Sequence, residues 1–137
     1  MTNPRIQLIH AVAASRDPIR AAFARLWPDA GITEFTDDTL AGDLEEAGAL
    51  TDAFTGRMAG LIGRGIKDGA HGVLFTCSAF GAAIERARAD VDIPVLKPDE
   101  AMIKTALSLG SRIGGLATFA PTIGSLSLEI TAAAKAR

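Results

Sequence analysis

A single cysteine, Cys77, directly follows a short apolar run and precedes Ser78, Ala79 and Gly81, after which a helical pattern resumes at Ala82. That is the sequence form of a buried parallel strand, a tight turn and a helix N-terminus. A thiol at such a turn faces the N–H groups of the first helical turn, whose partial positive charge favours thiolate. The same residue also reads as a small buried hydrophobe. Its position between Thr76 and Ser78 favours a functional thiol. A cysteine beside a bound carboxylate can take a proton from the adjacent carbon, return one to it, or attack a carbonyl.

The elements that would position this sulfur alternate along the whole chain. The pattern predicts strands at 6–12, 32–35, 73–76, 93–96 and 113–118. Helices are predicted at 18–27, 49–67, 79–89, 98–109 and 123–137, the first capped by Ser15 or Asp17. Strands alternating with helices imply βαβ units and a parallel sheet covered on both faces. The expected fold is therefore α/β, a three-layer sandwich on a central parallel sheet of about five strands with flavodoxin-like βα repeats. Ligands of such sheets gather outside the carboxyl ends of the strands. The polar groups that follow strands are His10 with Ser15, residues 36–39, residues 76–79, and Thr118 with Thr122.

Each of these groups has a structural and a chemical reading. His10 serves as a base, an orienting donor or a capped turn residue. Asp37 and Asp38 either cap the loop that follows or face a pocket. Thr118 and Thr122 are N-caps or ligand hydroxyls, though capping accounts readily for only one of them. His71 precedes its strand and belongs at the far end of the sheet. Glu45–Glu46 and Arg86/Arg88 read as solvated helix faces. Four glycines in the helix at 49–67 weaken it, each by up to about 1 kcal/mol, and suggest close packing against a neighbour.

Composition narrows the classes. The 137 residues fit one domain, and 48% hydrophobic with 22% charged residues excludes disorder. A formal charge of −2, scattered basic residues and 5% aromatics offer nothing for nucleic acid to bind. No apolar stretch reaches the roughly 18 residues of a membrane span. No Walker-type phosphate loop occurs, the glycines around Gly60 lie inside a helix, and no His/Cys set has metal-ligand spacing. One cysteine forms no internal disulfide and no signal peptide opens the chain, so a reducing cytoplasm is expected.

Three stretches together resemble the aspartate/glutamate/hydantoin racemase superfamily. Residues 9–23 look like its first strand, loop and helix. Residues 73–81, with Cys77-Ser78-Ala79, look like the segment bearing the first catalytic cysteine. Residues 113–122, ending Thr118-Phe119-Ala120-Pro121-Thr122, look like the strand and turn that begin the second domain. Residues 37–40 are similar to the family's second loop. The resemblance implies two similar α/β domains with the active site between them, residues 1–110 corresponding to the first and 111–137 to the start of the second. It implies cofactor-independent proton transfer at the α-carbon of a small amino acid or related carboxylate, with Cys77 as acid/base. His10, Asp38, Ser78, Ala79, Thr118 and Thr122 would contact that carboxylate substrate, with neither metal nor cofactor.

The departure from the family is one of extent. Its members are usually much longer and carry a second cysteine in the second domain, which this chain lacks. Three explanations stay open: a truncated gene product, a site completed by a partner subunit, or single-cysteine decarboxylase or isomerase chemistry on one face of the substrate. A non-catalytic ligand-binding or interaction fragment is the reading from a different class. If a second domain is missing, helices that should pack on it lie bare, and a homo-oligomer is expected.

Overall fold

β1 (Arg5–His10) occupies the middle of a parallel sheet, between β2 (Gly31–Thr36) and β3 (Gly72–Phe75), and β3 also carries the short β4 (Val95–Leu96). The computed structural model describes residues 3–137 and gives the strand order β2-β1-β3-β4. Sheet growth reverses between β1 and β3, which makes their carboxyl ends the switch point where such folds bind ligands. Parallel neighbours require crossovers. These are α1 (Arg16–Leu26) after β1, α2 (Leu40–Ala47) and α3 (Asp52–Lys67) after β2, and α4 (Gly81–Ala87) after β3; α5 (Glu100–Leu109) and α6 (Ala120–Lys135) follow β4.

The two faces of the sheet are covered unequally. Ile9, Val73, Phe75 and Val95 pack with Phe54, Met58 and Ile62 of α3 and with Ala83 and Ile84 of α4 in one main core. Alternation along β1 turns His10 to the opposite face, where Ser15 at the start of α1 meets its ring. α1 buries no residue completely, so its layer is thin. A small satellite cluster, Ile103, Leu107 and Leu126, joins α5 to α6. The α/β sandwich with helices on both faces of a parallel sheet is as the alternation predicts.

The predicted strand at 113–118 does not form. Those residues join no strand, and Leu116 is 99% exposed. Gly114 and Gly115 have no side chains to pack, and the available edge, β4, is only two residues long and follows Pro94, which has no N–H to offer. The sheet therefore has four strands among the described residues rather than five. α2 was not foreseen. Leu40 and Leu44, both buried one turn apart, and Gly48 at φ 69° are the signals that mark it. Of the four α3 glycines only Gly65 meets a neighbour closely, its Cβ position lying 3.1 Å from Gln7 Cγ; Gly56, Gly60 and Gly63 have nothing within 4 Å. Close packing explains one of them.

Met58 has no exposed surface and sits at the centre of the main core. Met58→Ala should lower stability by about 2–5 kcal/mol. In urea titrations this appears as a lower midpoint at unchanged slope.

Candidate functional site

The Cys77 turn is built by where β3 must stop. Phe75 still faces the core, Cys77 continues extended (φ −121°, ψ 122°), and Ser78–Phe80 form a single 3-10 turn before α4. Ala79 and Phe80 anchor that turn in the main core. The sulfur is half-buried and packs against the same core. Burial pushes the Cys77 thiol up; the Ala79 backbone N–H draws it back down, and the nearby Asp99 charge pushes it further up. This reverses the expectation that the turn favours thiolate. Desolvation outweighs one backbone dipole, and α4, at seven residues, is short.

α6 covers the turn. Its first-turn residue Thr122 is buried, and Ser78 Oγ donates to Thr122 Oγ1 at 3.4 Å. Phe119 takes the N-cap position, so neither predicted threonine cap forms. Thr122 lies within the helix, while Thr118 is exposed in the unpaired segment ahead of it. The two helices touch at Gly81, where a Cβ would overlap the Glu129 carboxylate, so a larger residue there would displace that side chain from its place. Lys97 closes the contact, its Nζ 3.0 Å from Glu129 Oε2 and 3.0 Å from Glu85 Oε2. Burial opposes the charge on Lys97, but the bonds to Glu129 and Glu85 win and hold its pKa above the ordinary value.

His10 is buried completely at the carboxyl end of β1. Its Nε2 lies 3.1 Å from Glu34 Oε1, and its Nδ1 lies 2.8 Å from Thr76 Oγ1 and 3.1 Å from Ser15 Oγ. Glu34 also accepts from Arg20 Nε at 2.6 Å. Burial raises the Glu34 carboxyl, but the Arg20 bond and charge, aided by His10 and Arg16, hold it below its ordinary value. An ionised Glu34 accepts only, so His10 carries its proton on Nε2 and Nδ1 accepts from a hydroxyl. Ser15 Oγ donates to the Val12 carbonyl at 2.9 Å, leaving Thr76 as the donor to Nδ1. Ser15 thus occupies the α1 N-cap position without capping with its side chain.

The remaining predicted residues lie elsewhere. Asp37 pairs with Arg57 (Oδ2–Nη2 2.7 Å) in a cluster with Thr39 and Asp43, whereas Asp38 is exposed and outside it. His71 accepts from the Arg5 N–H at 2.9 Å, at the opposite end of the sheet. Arg88 is not simply solvated: it bonds the Val95 carbonyl at 2.7 Å and Glu100 at 2.6 Å, tying α4 to β4 and α5. Three charged groups at the α4–α6 contact and the start of α5 have no reading in the sequence: Lys97, Asp99 and Glu129. The first two follow β4, so the rule that selected groups after the other strands also selects them. A cavity of about 420 Å³ lies on the α1 face, lined by Ser15, Pro18, Ile19, Leu74, Thr76 and Pro98. Among the described residues no set of three or more His, Cys, Asp or Glu could hold a metal, and no helix is long and apolar enough to cross a membrane.

The arrangement joins a protonated, half-buried thiol, paired hydroxyls and a turn N–H at a switch point. That set suits proton transfer beside a bound anion. The sequence model of the family described as Asp/Glu/Hydantoin racemase matches residues 12–134. No curated protein matches the chain.

The buried histidine has a pH signature. Burial holds its pKa below the ordinary 6.5; Glu34 opposes this, while Arg16 and Arg20 add to it. The unfolded chain therefore takes up this proton first as pH falls, so its contribution is present above 6.5 and is lost as pH falls below that value. Glu34, held below 4.5, loses its contribution lower still. The urea midpoint should drop between about pH 7.5 and about pH 5.5, and His10→Gln should flatten that drop at a cost of about 1–3 kcal/mol.

Proposed function

The chain belongs to the Asp/Glu/hydantoin racemase family, and on that premise we propose that it moves a proton at the α-carbon of a small amino acid or related carboxylate without a cofactor. The observation that carries this reading is the half-buried Cys77 sulfur, pushed up by burial and facing the Ala79 N–H where α6 brings Thr122 onto Ser78. A thiol protonated at rest is an acid towards a carbanion, and its thiolate is the matching base. Ser78, Ala79 and Thr122 supply donors to the substrate carboxylate, Thr118 adds a hydroxyl from the exposed rim, and Asp38 contacts the substrate away from its carboxylate. His10 has no exposed surface and enters by holding Thr76, next to the sulfur.

A second reading within the same family has Cys77 serving only one face of the carbon, as a decarboxylase or isomerase does. On either reading residues 111–137 correspond to the start of the family's second domain. The exposed apolar residues there and on α5 (Leu109 83%, Leu116 99%, Leu128 68%) support self-association, and one unpaired thiol suits a reducing cytoplasm.

The test is exchange of the α-hydrogen in deuterium oxide, followed by proton NMR with aspartate, glutamate and a 5-substituted hydantoin as substrates. Loss of the α-proton signal that disappears in Cys77→Ala is the expected result. Exchange surviving in Cys77→Ala, or none with any substrate, would refute the reading. Deuterium in both enantiomers indicates racemisation, and in one enantiomer the single-face reaction. Sedimentation should show a dimer or larger species, and a monomer at every concentration would remove the case for self-association.

A further inference from the structure

The buried His10 ring stands between a carboxylate and two hydroxyls. Its Nε2–H donates to Glu34 Oε1 at 3.1 Å, which leaves Nδ1 to accept from Thr76 Oγ1 at 2.8 Å. Hydroxyl, imidazole and carboxylate thus follow one another in the order by which acyl-transfer enzymes activate an oxygen nucleophile. Ser15 Oγ lies 3.0 Å from Thr76 Oγ1 and 3.1 Å from Nδ1, and its own proton goes to the Val12 carbonyl. A histidine kept only for packing needs no opening at its hydroxyl partner. Here Thr76 and Ser15 are half-buried and line the cavity of about 420 Å³, whose other walls include Pro18, Ile19, Leu74 and Pro98.

We propose that Thr76, His10 and Glu34 form a second reactive centre, in which Thr76 Oγ1 takes the acyl group of a small uncharged ester held in that cavity. The proline, isoleucine and leucine walls carry no charge, so they suit an apolar acyl chain and penalise a carboxylate. Thr76 Oγ1 attacks the ester carbonyl carbon while its proton passes to His10 Nδ1. The bond from that carbon to the alcohol oxygen breaks, and the alcohol leaves with the proton from Nδ1. Water then attacks the acyl carbon and gives one proton to Nδ1. The bond from that carbon to Oγ1 breaks, and the Nδ1 proton returns to Oγ1. The products are a carboxylic acid and an alcohol, and nothing is oxidised or reduced.

The surroundings fit each step. Burial holds His10 below its ordinary pKa, so the ring is neutral near pH 7 and free to accept a proton. Once Nδ1 carries that proton, Ser15 Oγ has a lone pair to receive it, because Ser15 donates to Val12. Glu34, kept ionised by Arg20, fixes the ring through Nε2–H and faces the imidazolium as it forms. Arg16 directly follows Ser15, and its Nε is a buried donor without a hydrogen-bond partner, the kind of group that receives a developing oxyanion.

The experiment is hydrolysis of p-nitrophenyl acetate by the full chain carrying Cys77→Ala, so that the thiol takes no part. Release of p-nitrophenolate above the buffer rate is expected, with peptide mass spectrometry of an acid-quenched sample locating the acetyl group on Thr76. Adding Thr76→Val should lower the release about a hundredfold, and Thr76→Ser should restore it. An acetyl group found only on other residues, or release unchanged by Thr76→Val, would overturn the assignment, as would no release above the buffer rate. Where Thr76→Val folds poorly, the position of the acetyl group decides alone. The proton-transfer reading stands or falls separately, because the sulfur is absent from the chain tested.

Discussion

The ammonium of Lys97, fixed between Glu85 of α4 and Glu129 of α6, is the interaction on which the region around the sulfur depends. Lys97 is barely exposed, and so is Glu129. Without the pairing, the Lys97 cation and the Glu129 carboxylate would be left partly desolvated, a far costlier state than solvated surface charges. Pairing them pins α6 against α4, and the missing side chain at Gly81 leaves room for the Glu129 carboxylate. That approach covers part of the turn that carries Cys77 and sets Thr122 against Ser78. One ion triad thus controls both the dielectric around the thiol and the position of the hydroxyls beside it.

A second polar node works from the opposite face. His10 joins β1, β2 and β3 through Glu34 and Thr76, and Arg20 of α1 neutralises Glu34. Both ring nitrogens of His10 and both oxygens of Glu34 have partners, so the node ties down the end of β3. Thr76 is held by a fixed tautomer, and Cys77 is the next residue. The thiol is therefore gripped from two sides: through its own strand by the histidine, and from above by α6.

Much of this was legible in the sequence, because apolar runs and helical stripes determine a parallel sheet directly. Cys77, Ser78 and Ala79 follow β3 and Thr122 opens α6, as their order along the chain implies. What the chain concealed has physical causes. Gly114–Gly115 looked like strand because Ile113 and Leu116 flank them, yet strand formation needs an edge to pair with, and the two-residue β4 offers almost none. The state of the thiol was misread because burial acts through tertiary packing, which no local motif records. Lys97 and Glu129 are far apart in sequence, and nothing short of the fold shows that they meet.

The edges of the sheet carry a further consequence. β2 is an outer strand of six residues, long enough to template the addition of a foreign strand. It carries the Glu34 carboxylate, turned inward and kept ionised by arginine, and a charge in that position discourages intermolecular pairing. The opposite edge, β4, is cut short and preceded by a residue without an N–H. The same carboxylate that orders the histidine therefore also guards solubility, and acid conditions that neutralise it disarm both functions together, leaving the open margin free to seed aggregates.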